Sequence, residues 1–207
     1  MIVKQVPLCE FLTTNAYFYI DEKTKHGFLV DPAAESEKLL RIIKENDWII
    51  EKILITHGHF DHIGAVDKLA KELNIPYYIH ANGKQYLINP QMNLSSFFEQ
   101  NIALSDAQYL QDGDEIVLTS SPDIKLKVIH TPGHTADSVV YYDESNNVAF
   151  VGDTIFKDSV GRTDLPGGNP TQLYKSIKDK IVTLPDNTIL YSGHTEKTTV
   201  QNEKGRF

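Results

Sequence analysis

The segment Thr56-His57-Gly58-His59-Phe60-Asp61-His62-Ile63-Gly64 places three imidazoles and one carboxylate within a single short stretch, and a mostly apolar run, Lys52-Ile53-Leu54-Ile55, leads into it. Imidazole and carboxylate together suit zinc, iron or manganese. Histidines two apart on an extended segment project to the same side, so His57 and His59 can face one ion. Asp61 and His62 come one step later and can face a second. A cluster of this kind suits two adjacent metals, and adjacent metals suit hydrolysis.

Three later segments share the same grammar, a strand followed by a tight turn that carries a polar residue. Val128-Ile129-His130-Thr131-Pro132-Gly133-His134-Thr135 presents His134, Val148-Ala149-Phe150-Val151-Gly152-Asp153-Thr154 presents Asp153, and Ile189-Leu190-Tyr191-Ser192-Gly193-His194 presents His194. In each, glycine directly precedes the candidate ligand and permits the backbone angles and close approach that such a turn needs. His130 reads as a core or supporting residue. His80, at a strand end, and His26, in a turn-like stretch, read as structural or solvated.

These turns require strands to deliver them. Residues 2–8, 16–21 and 27–30 are β-rich, with Asp21-Glu22-Lys23 as a turn and Asp31-Pro32 as a stop. Leu39, Leu40, Ile42 and Ile43 make a helical stripe over 35–46. Residues 52–55 read as a short buried strand. Ile63, Val66, Leu69, Ala70 and Leu73 then repeat at helical spacing, which places Asp61 and His62 at the start of that helix. A strand is expected at 77–80. Residues 81–112 are the least regular part, and 91–101 are a candidate pocket wall or lid. Strands follow at 115–118, 125–130, 138–142, 147–151 and 188–191. Asn169 and Pro170 are expected to start a helix over 170–182. Two β-rich halves, each followed by helices, predict packed sheets with helices outside, in one domain spanning 1–207.

Composition narrows the function classes. The chain has 207 residues, 41% hydrophobic and 23% charged, with a formal net charge of −8. That balance is ordinary for a globular protein and argues against a nucleic-acid partner. No apolar stretch has the length of a membrane span, and the N-terminus does not read as a signal peptide. A cytoplasmic protein without a membrane partner is the expectation. The one cysteine, Cys9, cannot form a disulfide within the chain, which suits a reducing compartment, and reads as a small buried hydrophobe. Nothing in the sequence sets an oligomeric state.

The His-x-His-x-Asp-His run, followed in order by Thr-Pro-Gly-His-Thr, Gly-Asp-Thr and Gly-His, resembles the metallo-β-lactamase-fold superfamily, and most of all its glyoxalase II-like (hydroxyacylglutathione hydrolase-like) short-form branch. The likeness covers nearly the whole chain. It implies an α/β fold, a four-layer αββα sandwich of two mixed sheets with outer helices. It implies His57, His59 and His134 as ligands of a first divalent metal, Asp61, His62 and His194 as ligands of a second, and Asp153 as the bridge. Zinc is the expected metal, with iron and manganese accepting the same donors.

The implied activity is hydrolysis of a small-molecule acyl-thiol substrate, a 2-hydroxyacyl thioester, by metal-bound hydroxide. Asp61 would also orient the nucleophile. Arg162 stands where family members carry a basic residue that binds a glutathione carboxylate, and it can equally pair with Asp164. Asp164 replaces an aromatic found in glyoxalase II. The chain ends at Gly205-Arg206-Phe207, where full-length glyoxalase II continues into a helical region, so a thiol carrier other than glutathione stays open. Rival readings are the mononuclear iron persulfide dioxygenase branch, which also carries Gly-Arg-Thr-Asp, another hydrolase of the fold such as a lactonase, β-lactamase or nuclease, and a non-catalytic metal-binding module. The acidic balance counts against the nuclease. The expected absence of an export signal counts against a periplasmic β-lactamase.

Overall fold

Residues 14–20, 27–30, 139–143 and 148–152 are buried at every position, the pattern of strands covered on both faces. The computed structural model describes residues 1–207 and shows what covers them. A first six-stranded sheet contains β1 (Ile2–Cys9), β2 (Thr13–Ile20), β3 (His26–Val30), β4 (Ile49–Leu54), β5 (Tyr77–His80) and β6 (Gln108–Leu110), in that spatial order. Its first pairs are antiparallel and those from β3 to β6 parallel. The second sheet is built from β7 (Glu115–Leu118), β8 (Ser121–His130), β9 (Val139–Asp143) and β10 (Val148–Gly152). The hairpin of β11 (Ile155–Phe156) and β12 (Ser159–Val160) stands apart, and β13 (Ile189–Ser192) and β14 (Thr198–Thr199) complete the second sheet in the order 14-13-10-9-8-7. There β10 and β13 run parallel and the other neighbours antiparallel. Both sheets are therefore mixed.

Strand alternation divides the core into three layers. Tyr17, Tyr19 and Phe28 of the first sheet meet Val128, Tyr141 and Phe150 of the second in the central layer. The opposite faces of the first sheet, with Phe18, Ile20 and Ile53, pack against Leu39 and Ile43 of α1 (Ser36–Glu45) and, after the short α2 (Phe60–Ile63), against Val66 and Leu69 of α3 (Val66–Leu73). The small α4 (Lys84–Ile88) follows β5. Beyond the second sheet, Val140, Ala149 and Leu190 pack on Leu173 of α5 (Pro170–Ser176), with α6 (Val200–Glu203) placing Val200 in the same layer. The order is helix, sheet, sheet, helix, the expected αββα sandwich.

Several boundaries differ from the sequence reading. The helix expected to begin at Asp61 is two helices. The Ala65 N–H donates to Pro32 O at 3.0 Å instead of continuing the helix from α2, so the chain steps sideways before α3. The 170–182 helix starts as expected, with the Asn169 side chain accepting from the Gln172 N–H at 3.0 Å, but widens to a π-helical stretch over Ile177–Ile181. Strand β6 lies in the segment read as irregular, β4 starts at Ile49, and β8 starts at Ser121. Cys9 is exposed, not buried. Val6 and Leu8 take the inward positions of the edge strand, so alternation turns Cys9 outward. No helix is long and apolar enough to cross a membrane.

Candidate metal centre

The candidate ligands all follow the C-terminal ends of strands. His57 and His59 lie just past β4, and Asp61 and His62 ride on α2. His134 follows β8, Asp153 follows β10 and His194 follows β13. Because β10 and β13 are parallel neighbours, Asp153 and His194 leave the sheet side by side, and Gly193 N–H donates to Gly152 O at 2.9 Å. The two sheets are joined at this end. Tyr141 donates to Ile55 O at 2.8 Å, Tyr17 donates to Ser192 O at 2.6 Å, and Val139 N–H donates to Thr56 O at 2.9 Å. A Cβ at Gly193 would collide with the Asp153 carboxylate and stand 2.7 Å from His62 Cε1, so close approach to the cluster requires glycine here.

All seven sequence-selected ligands are brought together. His57 Nε2, His59 Nδ1 and His134 Nε2 are 3.1, 3.2 and 3.1 Å apart. A tetrahedral site with bonds of about 2.0–2.1 Å has edges of roughly 3.3–3.4 Å, so these nitrogens already have nearly the spacing of three of its corners. On the other side, His194 Nε2 lies 3.3 Å from Asp61 Oδ2 and 3.2 Å from Asp153 Oδ2. His62 Nε2 is 3.5 Å from Asp153 Oδ1 and 3.9 Å from Asp61 Oδ2. Asp153 faces both sets, since its Oδ2 is also 3.6 Å from His134 Nε2.

The second nitrogens of His57, His62, His134 and His194 are held from outside, which points their lone pairs inward, whereas the outer Nε2 of His59 is buried without a partner. His134 Nδ1 donates to Arg162 O at 2.8 Å, and His194 Nδ1 donates to Thr13 O at 2.8 Å. His62 Nδ1 donates to Asp31 Oδ2 at 2.9 Å. Thr56 Oγ1 donates to the same Asp31 oxygen at 2.7 Å and is 3.2 Å from His57 Nδ1, from which it can accept. One buried carboxylate thereby orients a histidine from each set. The inward atoms His62 Nε2 and Asp153 Oδ1 are buried without a hydrogen-bond partner. Such orphans call for an explanation, and a cation among converging imidazole and carboxylate donors provides it. The residues fit a divalent metal.

Electrostatics separate the two sets. Burial, reinforced by the neighbouring His62 and His134, holds His57 well below the ordinary histidine range, and burial with His134 takes His59 down to about 3. Both rings are thus neutral and available as donors. Burial also works against charge at His62 and His194, but Asp31, Asp153 and Asp61 outweigh it at His62, and Asp153 and Asp61 carry His194 up to about 10. Burial would raise Asp61 and Asp153, yet His62 and His194 hold both below the usual carboxylate range.

Asp31, Thr56 and Asp137 escaped the sequence reading. Asp31 appeared only as a strand stop, and its left-handed φ of 48° is uncommon for a residue other than glycine. Asp137 is fully buried and accepts the Gly58 N–H at 2.9 Å, which braces the loop between His57 and His59. Burial pushes its carboxyl up to about 6, against the hydrogen bonds from Thr135 and Gly58. Thr56 adjoins the first histidine and Asp137 lies three residues past His134, whereas Asp31 is remote from every motif in sequence. His130 supports the His134 turn by donating from Nε2 to Ala136 O at 2.9 Å. His80 is buried and stacks on His130, with ring centroids 4.0 Å apart, while His26 pairs with Glu51 at 2.9 Å.

Above the cluster opens a cavity of about 550 Å³, with His59, Asp61, His134, Asp153 and His194 at its floor. Leu94, Phe97 and Phe98 form part of one wall, as expected of the 91–101 segment. Arg162 also lines the cavity, but its Nε and Nη2 donate to the two Asp164 oxygens at 2.8 and 2.7 Å.

A family model described as "Metallo-beta-lactamase superfamily" matches residues 9–194. The chain is 38% identical to the "Probable metallo-hydrolase YqgX" of Bacillus subtilis, over 93% of this chain and 90% of the relative. It is 30% identical to the "Hydroxyacylglutathione hydrolase GloC" of Haemophilus influenzae, over 99% and 95%. Among solved structures, the BLEG-1 B3 metallo-beta-lactamase superposes with a TM-score of 0.92 at 38% identity, covering 99% of this chain and 97% of that one. TTHA1623 in a di-iron-bound form superposes at 0.83 with 32% identity, covering 98% and 97%.

Proposed function

The chain belongs to the metallo-beta-lactamase superfamily as a metal-dependent hydrolase, and from that premise we propose that it cleaves a small 2-hydroxyacyl thioester at a two-metal centre. The observation that carries this reading is the pair of donor sets that share Asp153. His57, His59 and His134 lie on one side of it, and Asp61, His62 and His194 on the other, beneath one open cavity. The likeness to the Haemophilus hydroxyacylglutathione hydrolase supports the thioester bond as the target, and the di-iron form of TTHA1623 supports a second ion. Zinc is the proposed metal, with iron the first alternative.

Bound divalent ions supply an acidified water and a Lewis acid for the carbonyl oxygen. The chain's own residues do the rest. The ligand side chains at the floor are mostly buried, which strengthens the charge interactions among them. Asp61, on the cavity floor, accepts a hydrogen bond from the attacking water and orients it toward the carbonyl carbon. The water oxygen forms the new bond, the C–S bond breaks, and the sulfur leaves as a thiolate with an ordinary pKa of about 8.5. So stable a leaving group needs no strong general acid. Arg162 Nη1 lies outside the Asp164 pair and is the proposed donor to a neutral oxygen of the substrate.

A second reading is hydrolysis of a β-lactam, favoured by the likeness to the B3 enzyme. The test is metal analysis of the purified protein together with turnover of a panel that contains acyl thioesters, a lactone, a chromogenic cephalosporin and, under oxygen, a persulfide. Two metals per chain with thioester turnover as the fastest reaction is the expected result, and Asp61→Ala should abolish that turnover while the fold persists. One iron with oxygen-dependent sulfite formation from a persulfide, or preference for the cephalosporin, would overturn it.

A further inference from the structure

The cavity above the metal centre has fifteen lining residues, and five of them are the candidate ligands at its floor. Of the remainder, eight are hydrophobic, and Ser159 and Arg162 are the only polar ones. Phe60 and Phe98 stack with ring centroids 4.5 Å apart, and Phe11 packs 4.9 Å from Phe98. Leu94 and Phe97 continue this wall, and Phe156 and Leu165 face the cavity from the segments around the β11–β12 hairpin. The charge of Arg162 is already matched by the bidentate pair with Asp164.

A glutathione-type carrier brings two carboxylates. Taking a carboxylate out of water without a cation partner is costly, and the walls of this cavity, above the metal ligands, have no cation free of a partner to receive one. Resting on the thioester reading for the bond cleaved, we infer that the cavity walls take a neutral, apolar thiol carrier and select against carriers that present carboxylates. The small polar acyl group then lies at the floor, with the carrier's hydrocarbon against Phe60, Phe97, Phe98 and Phe156. Asp164 is a specificity-determining residue in this arrangement, since it cancels the one positive charge in the wall.

The test holds the acyl group constant and varies the thiol. S-lactoyl esters of glutathione, of N-acetylcysteamine and of straight-chain alkyl thiols are compared by kcat/KM. Binding of the matching non-hydrolysable thioethers is measured by calorimetry, with and without metal. The expected result is a kcat/KM that rises by up to about fourfold per added methylene until the cavity is filled, with the glutathione ester below the neutral esters. Asp164→Asn, which frees the Arg162 charge, should raise kcat/KM for the glutathione ester relative to the alkyl series by roughly two- to fivefold, with the metal content unchanged. A glutathione ester that outperforms the alkyl series, or thioether binding that does not respond to chain length, overturns the inference and leaves the hydrolase reading standing. Graded thioether binding with no turnover of any ester does the reverse, supporting the apolar walls while the thioester reading falls.

Discussion

Asp31 shows how much of the centre depends on a residue that never faces the cavity. Its carboxylate receives Thr56 N–H, Thr56 Oγ1–H and His62 Nδ1–H at 2.8, 2.7 and 2.9 Å, and through Thr56 it reaches His57 as well. Asp31→Asn keeps the size and tolerates the left-handed backbone, but it turns an amide N–H toward one of these donors. Metal affinity, measured by competition with a chromogenic chelator, should fall about 10–100-fold with the far-ultraviolet spectrum unchanged. An unaltered affinity would show that Asp31 has no part in orienting the ligands. The sequence made the seven candidate ligands visible, His57, His59, Asp61 and His62 through their close spacing, and His134, Asp153 and His194 through glycine-led turns that match the motifs of the family it resembles. Asp31 stayed hidden because an aspartate before proline is an ordinary strand stop, and only folding brings it against Thr56 and His62.

The elements that carry these residues can be tested separately. Ile177 is fully buried in the layer between the second sheet and the helix that begins at α5. Ile177→Ala should lower the unfolding free energy by about 2–5 kcal/mol, measured by urea denaturation, without changing the identity of the bound metal. His80 offers a test by pH. It ends β5, stacks on His130, and accepts the Asn82 N–H at 3.2 Å. Burial, reinforced by His130, takes it down from the ordinary 6.5 to about 4. The unfolded chain therefore binds this proton first. The stabilisation is complete above pH 6.5, is lost as pH falls from 6.5 to about 4, and changes no further below that. His80→Asn retains an acceptor for the turn and removes the titration, so its melting temperature should fall less steeply than the parent's between pH 7 and 4.5. Parallel slopes would contradict the assignment. Alternation and helical stripes made most of these elements legible. The break at Gly64-Ala65 was not, because it depends on Pro32 O accepting the Ala65 N–H, a partner from another part of the chain.

At the scale of the molecule, the centre is the point where the strand ends of both sheets converge, so metal and fold are coupled. Chelation should lower the melting temperature, and divalent metal should restore it. With metal at a hundred times its dissociation constant the linkage is about 2.7 kcal/mol, or roughly 5–10 °C for a chain of this size. A melting curve indifferent to chelator would mean that the donors of the two sheets are not joined by an ion. The sequence by itself determined the chemistry of the donors, the strand-then-turn delivery of each, and the division into two β-rich halves, because residue type and local periodicity are properties of short segments. Only the tertiary structure decided that Asp31 orients a histidine in each donor set, and that the cavity above them has apolar walls whose one arginine is paired with Asp164. Each of those facts depends on distances between segments far apart in the chain, and such distances arise only when the two sheets pack.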